Sequence, residues 1–339
     1  MTERAALIDR FLASAGFGAA KRLPLPGDAS FRHYVRLTGG PEPALLMDAP
    51  PDREDVRPFV AVAEHLAALG FSAPRILASS LEDGLVIVED FGDATFTRLL
   101  AKGADERALY KLAIDTLIAL HRLPSMRTTA INVPPYDDER LLAEAGLLPD
   151  WYAPAALGGP LPPRAVADYE TLWRAAFPLA RKTPETLVLR DFHVDNLMRL
   201  AGREDHAACG LLDFQDAVIG PTAYDLVSLL EDARRDLAPG LKEAMTERYL
   251  AAFPALDRNA FVAASAVLAA QRNAKIVGIF IRLWKRDGKP VYLKHIPRVW
   301  RLLEADLAHP ALEGLRTWFD AYVPAELRRA PRADAVESR

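Results

Sequence analysis

The sequence predicts an α+β fold with a small N-terminal lobe built on an antiparallel sheet and a larger, mainly helical C-terminal lobe. Short runs of alternating polarity, separated by turn residues, fill most of the first 91 positions. Apolar residues at helical spacing dominate from residue 104 onward. The polar stretch of residues 89–93 interrupts both patterns. We therefore assign residues 1–91 to the N-terminal lobe, 92–329 to the C-terminal lobe and 330–339 to a charged tail.

The N-terminal lobe is expected to begin with an amphipathic helix over residues 4–15, where Leu7, Ile8 and Phe11 share one face. Three short strands are predicted next, and turn chemistry separates the first two. Their ranges are 21–26, 32–37 and 43–47. A helix over residues 53–69 and two strands complete the lobe, the strands covering residues 75–78 and 84–89. Short strands joined by turns predict antiparallel pairing.

The C-terminal lobe is predicted to consist of helices interrupted by one irregular stretch and one β-type insert. Residues 148–163 contain five prolines, which predicts a long loop or a broken helix. The insert contains short strands at residues 187–189, 196–200 and 209–213. The predicted helices cover residues 105–121, 137–147, 164–181, 223–235, 240–252, 259–284 and 297–307.

The composition argues against several classes of protein. A net charge of −4 over 339 residues provides no general basic surface for nucleic acid. The single cysteine, Cys209, excludes an intrachain disulfide or a cysteine metal cluster and fits a cytoplasmic protein. No apolar run is long enough to suggest a membrane span, and the P-loop, GxGxxG and HExxH patterns are absent. No feature of the sequence indicates a protein partner.

The strongest functional signal lies between residues 187 and 215. Asp191 and Asn196 are on a loop between two short apolar strands, and a third apolar strand leads to Asp213. Phosphoryl transfer needs a carboxylate that accepts the hydroxyl proton and oxygen ligands that hold Mg²⁺ against the phosphates. We interpret Asp191 as the proton acceptor and Asn196 and Asp213 as the metal ligands. Each could instead cap a loop, but the three together in this order favour function.

These motifs resemble the catalytic and metal segments of protein-kinase-like enzymes. The forms DFHVDN-LM, LLDFQDA and GPTAYDL are similar to the aminoglycoside phosphotransferase branch, over about residues 20–300. The segments DASFRHYVRL, LMDAPP, RPF, DWY and LDFQDAVIGPTAYDL further resemble bacterial anomeric kinases of cell-wall recycling, which phosphorylate N-acetylmuramate and N-acetylglucosamine at C1. The resemblance implies a two-lobed protein-kinase-like fold, in which the N-terminal lobe binds nucleotide and the C-terminal lobe binds the acceptor.

The resemblance also implies where the nucleotide, ATP or GTP, would be held. The backbone of the loop that contains Ala29, Ser30 and Phe31 would cover the phosphates, although the loop lacks the glycine spacing of protein kinases and a bare turn is the alternative. The segment from Glu89 to Phe91 would be the hinge, pairing the edge of the base with backbone groups.

The resemblance also implies roles for two carboxylates, and it shows that one lysine of the family is missing here. Glu64 would be the helix carboxylate that pairs with a strand lysine in the family. The third strand carries Met47 in place of that lysine, so we expect Arg32 or Arg36 to supply the positive charge. Asp225 would brace the catalytic loop, with a simple role at a helix N-terminus as the alternative.

The residues predicted to contact the acceptor are weaker candidates. His193 lies between the catalytic loop and the acceptor side, and Trp151 and Tyr152 lie in the insert where the family builds its acceptor pocket, with core packing as the alternative. Basic residues recur at helical spacing in segment 271–286: Arg272, Lys275, Arg282 and Arg286. Such a stripe is typical of a solvated face. One of the first three could instead pair with the lactyl carboxylate of N-acetylmuramate, and Arg272 is our candidate acceptor contact.

We therefore predict a magnesium-dependent kinase that transfers the γ-phosphate of ATP or GTP to the anomeric hydroxyl of N-acetylmuramate or N-acetylglucosamine. This hydroxyl is more acidic than an ordinary alcohol, so a plain aspartate can serve as its base. Two alternatives stay open. An aminoglycoside kinase would use acidic residues such as Asp137, Asp138 and Glu139 to bind a polycation. A non-catalytic nucleotide-binding module would explain Met47 and Leu189, where the family usually has lysine and histidine.

Overall fold

The structure is a computed structural model, which describes residues 3–26 and 32–331. The chain forms two compact units. The first comprises Met1–Val133 and Val194–Ala217, and the second comprises Pro134–His193 and Val218–Arg339. The chain therefore passes from the second unit back into the first between residues 193 and 194. The predicted lobe boundary after residue 91 follows a change in secondary structure, and it stays a prediction.

The strands are short and pair antiparallel. In chain order they are β1 (Lys21–Pro24), β2 (His33–Thr38), β3 (Ala44–Asp48), β4 (Ile76–Ser80), β5 (Leu85–Glu89), β6 (Glu185–Val188), β7 (Leu197–Arg199), β8 (Cys209–Leu211) and β9 (Val218–Pro221). Strands β1 to β5 form one sheet in the order β1-β2-β3-β5-β4, which confirms the predicted antiparallel sheet. Strand β6 pairs with β9, and β7 pairs with β8.

The helices account for most of the rest of the described chain. They are α1 (Glu3–Ser14), α2 (Arg57–Ala68), α3 (Phe96–Ala101), α4 (Glu106–Arg122), α5 (Ser125–Thr128), α6 (Asp138–Ala145), α7 (Ala153–Leu157), α8 (Pro163–Ala180), α9 (Ala223–Leu230), α10 (Leu241–Ala251), α11 (Arg258–Lys285), α12 (Ile296–Leu307) and α13 (Glu313–Tyr322). Helices α3, α5 and α13 were not predicted. Helix α9 ends earlier than expected, at Leu230. None of the helices in residues 3–26 and 32–331 combines the length and apolar character of a membrane span.

The first unit is organised around the five-stranded sheet. Strands β3 and β5 lie inside the sheet, and most of their residues are buried, which explains the apolar run that each contains. Helix α1 contributes Leu12 to a core cluster with Leu37, Leu46 and Ile87 of the sheet. The β7–β8 hairpin also belongs to this unit. A Cβ atom at Gly210 would lie 2.9 Å from the ring of Phe91, so glycine is needed there for the ring to pack on the hairpin.

The second unit is organised around α11, which contacts helices α6, α8, α9 and α12. Because neighbours surround it, α11 is buried far beyond the single apolar face expected of an amphipathic helix. Gly278 allows the segment after α6 to approach closely, since a Cβ atom at this position would lie 2.3 Å from the carbonyl oxygen of Leu147. The proline-rich stretch is a broken helix, with a π-helical turn at Leu148–Tyr152 followed by α7.

Candidate active site

The loop that follows β6 carries Asp191, and Asp225 on α9 holds its backbone. The amides of Leu189 and Arg190 donate to the two carboxylate oxygens of Asp225 at 2.7 and 2.9 Å. Asp225 is buried, and burial raises its pKa to about 7, against the effect of the two amide donors. The prediction that Asp225 braces this loop is confirmed by these two bonds.

Arg190, the residue immediately before Asp191, has the left-handed φ of 67° that favours glycine. Several contacts keep it there. Its carbonyl oxygen accepts a hydrogen bond from the Ser228 hydroxyl at 3.0 Å, and its guanidinium pairs with Glu144. The guanidinium also lies over the ring of Tyr136, 5.7 Å from the centroid. The side chain thus stabilises a backbone conformation that would otherwise be strained.

Positive charges surround Asp191 within the second unit. Burial raises the pKa of the Asp191 carboxyl, but nearby positive charges outweigh burial and hold this pKa below its ordinary value. The permanent charges are those of Lys275, Arg272 and Arg190, and His193 adds to them only when its imidazole is protonated. Asp191 is therefore an ionised carboxylate at neutral pH, which is the form that can accept a proton.

His193 lies next to Asp191, and its amide donates to the Asp191 carbonyl oxygen at 3.1 Å. Its side chain is buried, and burial together with the charge of Arg234 lowers the pKa of the imidazole. The ring is therefore mainly neutral at pH 7. Arg234, whose side chain is 37% exposed, adds another cation to this region. Arg234 follows α9 outside any motif, so no sequence pattern indicated its place here.

The β7–β8 hairpin of the first unit brings Asn196 and Asp213 together. Leu197 pairs with Leu211, and the Leu212 amide donates to the Asn196 carbonyl oxygen at 3.0 Å. This register places Asn196 at one end of the hairpin, beside Asp213. The Asn196 side-chain amide donates to Asp213 Oδ2 at 3.4 Å. The sequence prediction that these two side chains act together has this geometric support.

The backbone of Asp213 is also left-handed, with a φ of 58°. The next residue anchors this turn, because the buried ring of Phe214 stacks on Phe59 of α2 with centroids 5.2 Å apart. Gln215 donates to Asp213 Oδ1 at 2.9 Å. The carboxylate itself remains 48% exposed. A buried neighbour thus fixes the position of a half-exposed carboxylate.

Arg32 places a cation beside this pair. It is 9% exposed, its Nη1 lies 3.8 Å from Asp213 Oδ1, and its Nε pairs with Glu54. Arg36 has a different place, since it pairs with Asp90 at 2.6 Å and with Asp93 at 3.0 Å. The structure therefore favours Arg32 over Arg36 as the substitute for the missing strand lysine.

The donor set at Asn196 and Asp213 fits Mg²⁺. One carboxylate and one side-chain amide provide hard oxygen ligands, and Mg²⁺ commonly takes its other ligands from water and substrate phosphates. Among the residues that the structure describes, no cluster of three or more His, Cys, Asp or Glu side chains is arranged to hold a metal. A protein-only metal cage therefore does not compete with this interpretation in the described part of the chain.

The predicted hinge is held by ion pairs. Arg203 Nη2 donates to Glu89 Oε1 at 2.5 Å, and the guanidinium lies 5.2 Å from the centroid of the Phe91 ring. Arg75 also pairs with Glu89, at 3.4 Å. The Glu89 carboxylate therefore has a structural role, and any contact with a base would come from the backbone of this segment. Arg203 was missed because it lies far away in sequence, in the turn between β7 and β8.

Two expectations about charged residues need correction. The basic stripe is not a solvated face along its whole length, because Arg272 is 5% exposed and donates to the Glu231 carbonyl oxygen at 3.4 Å. Helices packed around α11 cover this part of the stripe. Glu64 is exposed, and the carboxylate that pairs with an arginine in this region is Glu54, which lies before α2.

The aromatic candidates for the acceptor pocket differ from each other. Tyr152 is fully buried against Trp300, and its hydroxyl donates to the Leu327 carbonyl oxygen at 2.5 Å. This supports the core-packing alternative for Tyr152, because no ring face is left for a sugar. Trp151 is only partly buried and stays a candidate. Ala29, Ser30 and Phe31 lie outside the described residues.

Comparison with known proteins decides the family. Residues 21–261 match the model of the phosphotransferase enzyme family, which is more than half of the chain. The chain belongs to this family. Its phosphotransferase relatives include the N-acetylmuramate/N-acetylglucosamine kinase of Caulobacter vibrioides, which is 39% identical over 97% of this chain and 99% of that protein. The enzyme of the same name from Pseudomonas aeruginosa is 38% identical over 85% of this chain and 84% of that protein.

Solved structures agree on the fold of this phosphotransferase. The GDP complex of wild-type aminoglycoside 2'-phosphotransferase-IIIa superposes with a TM-score of 0.62 at 15% identity, and the match covers 91% of this chain and 99% of that one. The likeness confirms the predicted protein-kinase-like fold. At this identity it is evidence for the fold alone.

Proposed function

We propose that this phosphotransferase moves the γ-phosphate of ATP or GTP to the anomeric hydroxyl of N-acetylmuramate, N-acetylglucosamine or both. The names of relatives at 38–39% identity support this acceptor class. The observation that carries the choice is the positive charge around Asp191, provided by Lys275, Arg272 and Arg190. A polycationic antibiotic would be repelled by this set, whereas a neutral or anionic sugar is tolerated or attracted.

In this proposal Asp191 accepts the proton of the acceptor hydroxyl. Its carboxylate is held ionised by the surrounding cations, and the backbone of the two preceding residues is fixed through Asp225. A lowered pKa makes a weaker base, which suits an anomeric hydroxyl better than a less acidic alcohol. His193 and Trp151 are the proposed sugar contacts, and Arg272 is the proposed partner of the lactyl carboxylate.

Asn196 and Asp213 would hold Mg²⁺, which supplies charge neutralisation for the phosphates when bound. Arg32 would add a cation beside Asp213, in place of the family's strand lysine. The hinge backbone from Glu89 to Phe91 would pair with the base, and the loop with Ala29, Ser30 and Phe31 would cover the phosphates. Turnover requires all of these groups to function. Measured phosphorylation of a sugar would therefore exclude the non-catalytic alternative.

A methyl glycoside tests the position of transfer. N-acetylglucosamine is expected to be phosphorylated by the protein with ATP and Mg²⁺, whereas its 1-O-methyl glycoside is expected to be inert because it has no free anomeric hydroxyl. Mass spectrometry of the products measures both. Phosphate on the methyl glycoside would exclude C1. Modification of kanamycin-type compounds, with both N-acetyl sugars ignored, would instead establish the aminoglycoside alternative.

Arginine variants test the nucleotide contacts. Arg32→Ala is expected to raise the KM for nucleotide by roughly ten- to a hundredfold, because a charge-assisted hydrogen bond contributes about 1.5–3 kcal/mol. The acceptor KM should be almost unchanged. Arg36→Ala is the matched comparison, and it should have the smaller effect since Arg36 pairs with Asp90 and Asp93. Steady-state kinetics with each substrate varied would contradict the assignment if Arg32→Ala bound nucleotide normally.

A further inference from the structure

Glu144 on α6 connects the catalytic loop with α11. One of its carboxylate oxygens, Oε1, accepts from the Arg190 guanidinium, and the other, Oε2, lies 3.2 Å from Lys275 Nζ. The Tyr136 hydroxyl donates to Oε2 at 2.5 Å, and Gln271 Nε2 donates to it at 3.3 Å. Both oxygens of a largely buried carboxylate are thus used, and each carries at least one cation.

Helices α6 and α11 approach closely enough for Gln271 and Lys275 to reach Glu144. Gln271 and Lys275 are four residues apart on α11, so both point to the same face of the helix and both reach Glu144. Gly278, on the next turn, lets the segment after α6 approach α11 closely, and no residue with a Cβ atom would fit there. Tyr136 is likewise seated against Gly220, where a Cβ atom would lie 2.9 Å from the Tyr136 Cβ.

We propose that Lys275 and Glu144 are positioning residues of the phosphoryl transfer: Glu144 holds Lys275 beside Asp191 and anchors Arg190, the residue that precedes Asp191. The proposal rests on the proposed function, since it assigns these residues to the same reaction. Neither residue belongs to the Asp191, Asn196 and Asp213 motif, and Glu144 was not singled out from the sequence. The contacts of Glu144 in the folded chain, rather than a sequence motif, point to this role.

Charged groups from three elements act on Asp191 or on Asp225, which holds the Asp191 loop. Lys275 and Arg272 come from α11, Arg190 and His193 from the loop, and Asp225 from α9. Lys275 is the first of the charges that oppose the effect of burial on the Asp191 pKa. Because burial alone would raise this pKa, removing Lys275 should move it upward. The fall of kcat/KM toward acid pH then reports the protonation of Asp191.

Lys275→Met removes the ammonium and leaves the Arg190–Glu144 pair intact, so the loop keeps its anchor. With neutral N-acetylglucosamine as acceptor, we expect kcat/KM to fall at least about tenfold at pH 7, the lower end for a lost charge-assisted contact. The loss should grow between pH 8 and pH 5, and the KM for nucleotide should stay the same. Lys275→Arg should recover part of the activity.

Two companion variants complete the test. Glu144→Gln should lower kcat for N-acetylglucosamine, but it leaves two cations without their carboxylate and could impair folding. Glu139→Gln on the same helix is the control, because Glu139 pairs only with exposed Arg174 in the contacts described and should have wild-type kinetics. Thermal unfolding of all variants separates loss of structure from loss of positioning.

Wild-type kcat in Lys275→Met would overturn the inference. So would a loss by the same factor at every pH with no recovery in Lys275→Arg, since a purely structural role predicts that pattern. These outcomes differ from a failure of the proposed function. In that case the wild-type protein itself would phosphorylate neither N-acetyl sugar, and the variants would not be interpretable as acceptor kinetics.

Discussion

Asp191→Asn is expected to lower kcat for N-acetylglucosamine at least about a hundredfold, the lower end for loss of a general base. Asparagine has nearly the same shape as aspartate, but its amide cannot take the hydroxyl proton at neutral pH. Nucleotide binding should barely change, because Arg32, Asn196 and Asp213 belong to the other compact unit of the chain. The measurement is steady-state kinetics with each substrate varied, together with nucleotide titration.

The control for this variant lies in the same loop. Asp195→Asn makes the same chemical change four residues later, at a side chain that accepts a hydrogen bond from Thr97. We expect its kcat to stay far above that of Asp191→Asn. Turnover close to the wild-type rate in Asp191→Asn would remove Asp191 from the role of proton acceptor, whatever the control shows.

The sequence was most informative where local pattern and function coincide. The apolar runs of β3 and β5 predicted strands, and both runs form strands of the five-stranded sheet. The apolar runs around Asp191 and Asp213 predicted short strands joined by a loop that presents polar side chains. Asp225 could be assigned as a brace because its motif carried that implication. In each case the information lies within a few consecutive residues.

Contacts between distant segments were not predictable in the same way. Glu144 and Lys275 are 131 positions apart, and Arg203 reaches Glu89 across 114 positions. Periodicity shows that a helix has an apolar face, but it cannot show that further helices cover its charged residues. Periodicity therefore left Arg272 either on a solvated face or as an acceptor contact, and it could not show that packing around α11 buries this residue.

The sequence also misidentified the carboxylate that pairs with a cation in this region. Glu54 stands in a series of exposed charges before α2, and nothing in residues 52–57 marks it as the partner of Arg32. Glu64 matched the expected position on a helix but is exposed. Glu54 differs from Glu64 because the folded chain places Arg32 beside Glu54. Composition and spacing do not contain that information.

Asp213→Asn is expected to abolish detectable turnover, even at high Mg²⁺ concentration. The substitution removes the negative charge that would hold the metal against the phosphates, and an amide oxygen is a much weaker ligand. Asparagine is the better choice than alanine because the φ of Asp213 is 58°, a conformation that Asn adopts more readily. Loss of activity can then be attributed to the missing carboxylate rather than to backbone strain.

Asp205 offers a matched control for this experiment. It has a φ of 48°, so Asp205→Asn makes the same change in the same backbone region at a site outside the Asn196–Asp213 pair. Its turnover should equal that of the wild type. A chelator should stop the wild-type reaction, and added Mg²⁺ should restore it. Phosphoryl transfer that resists chelation, or that persists in Asp213→Asn, would contradict the assignment of Asn196 and Asp213 as the metal ligands.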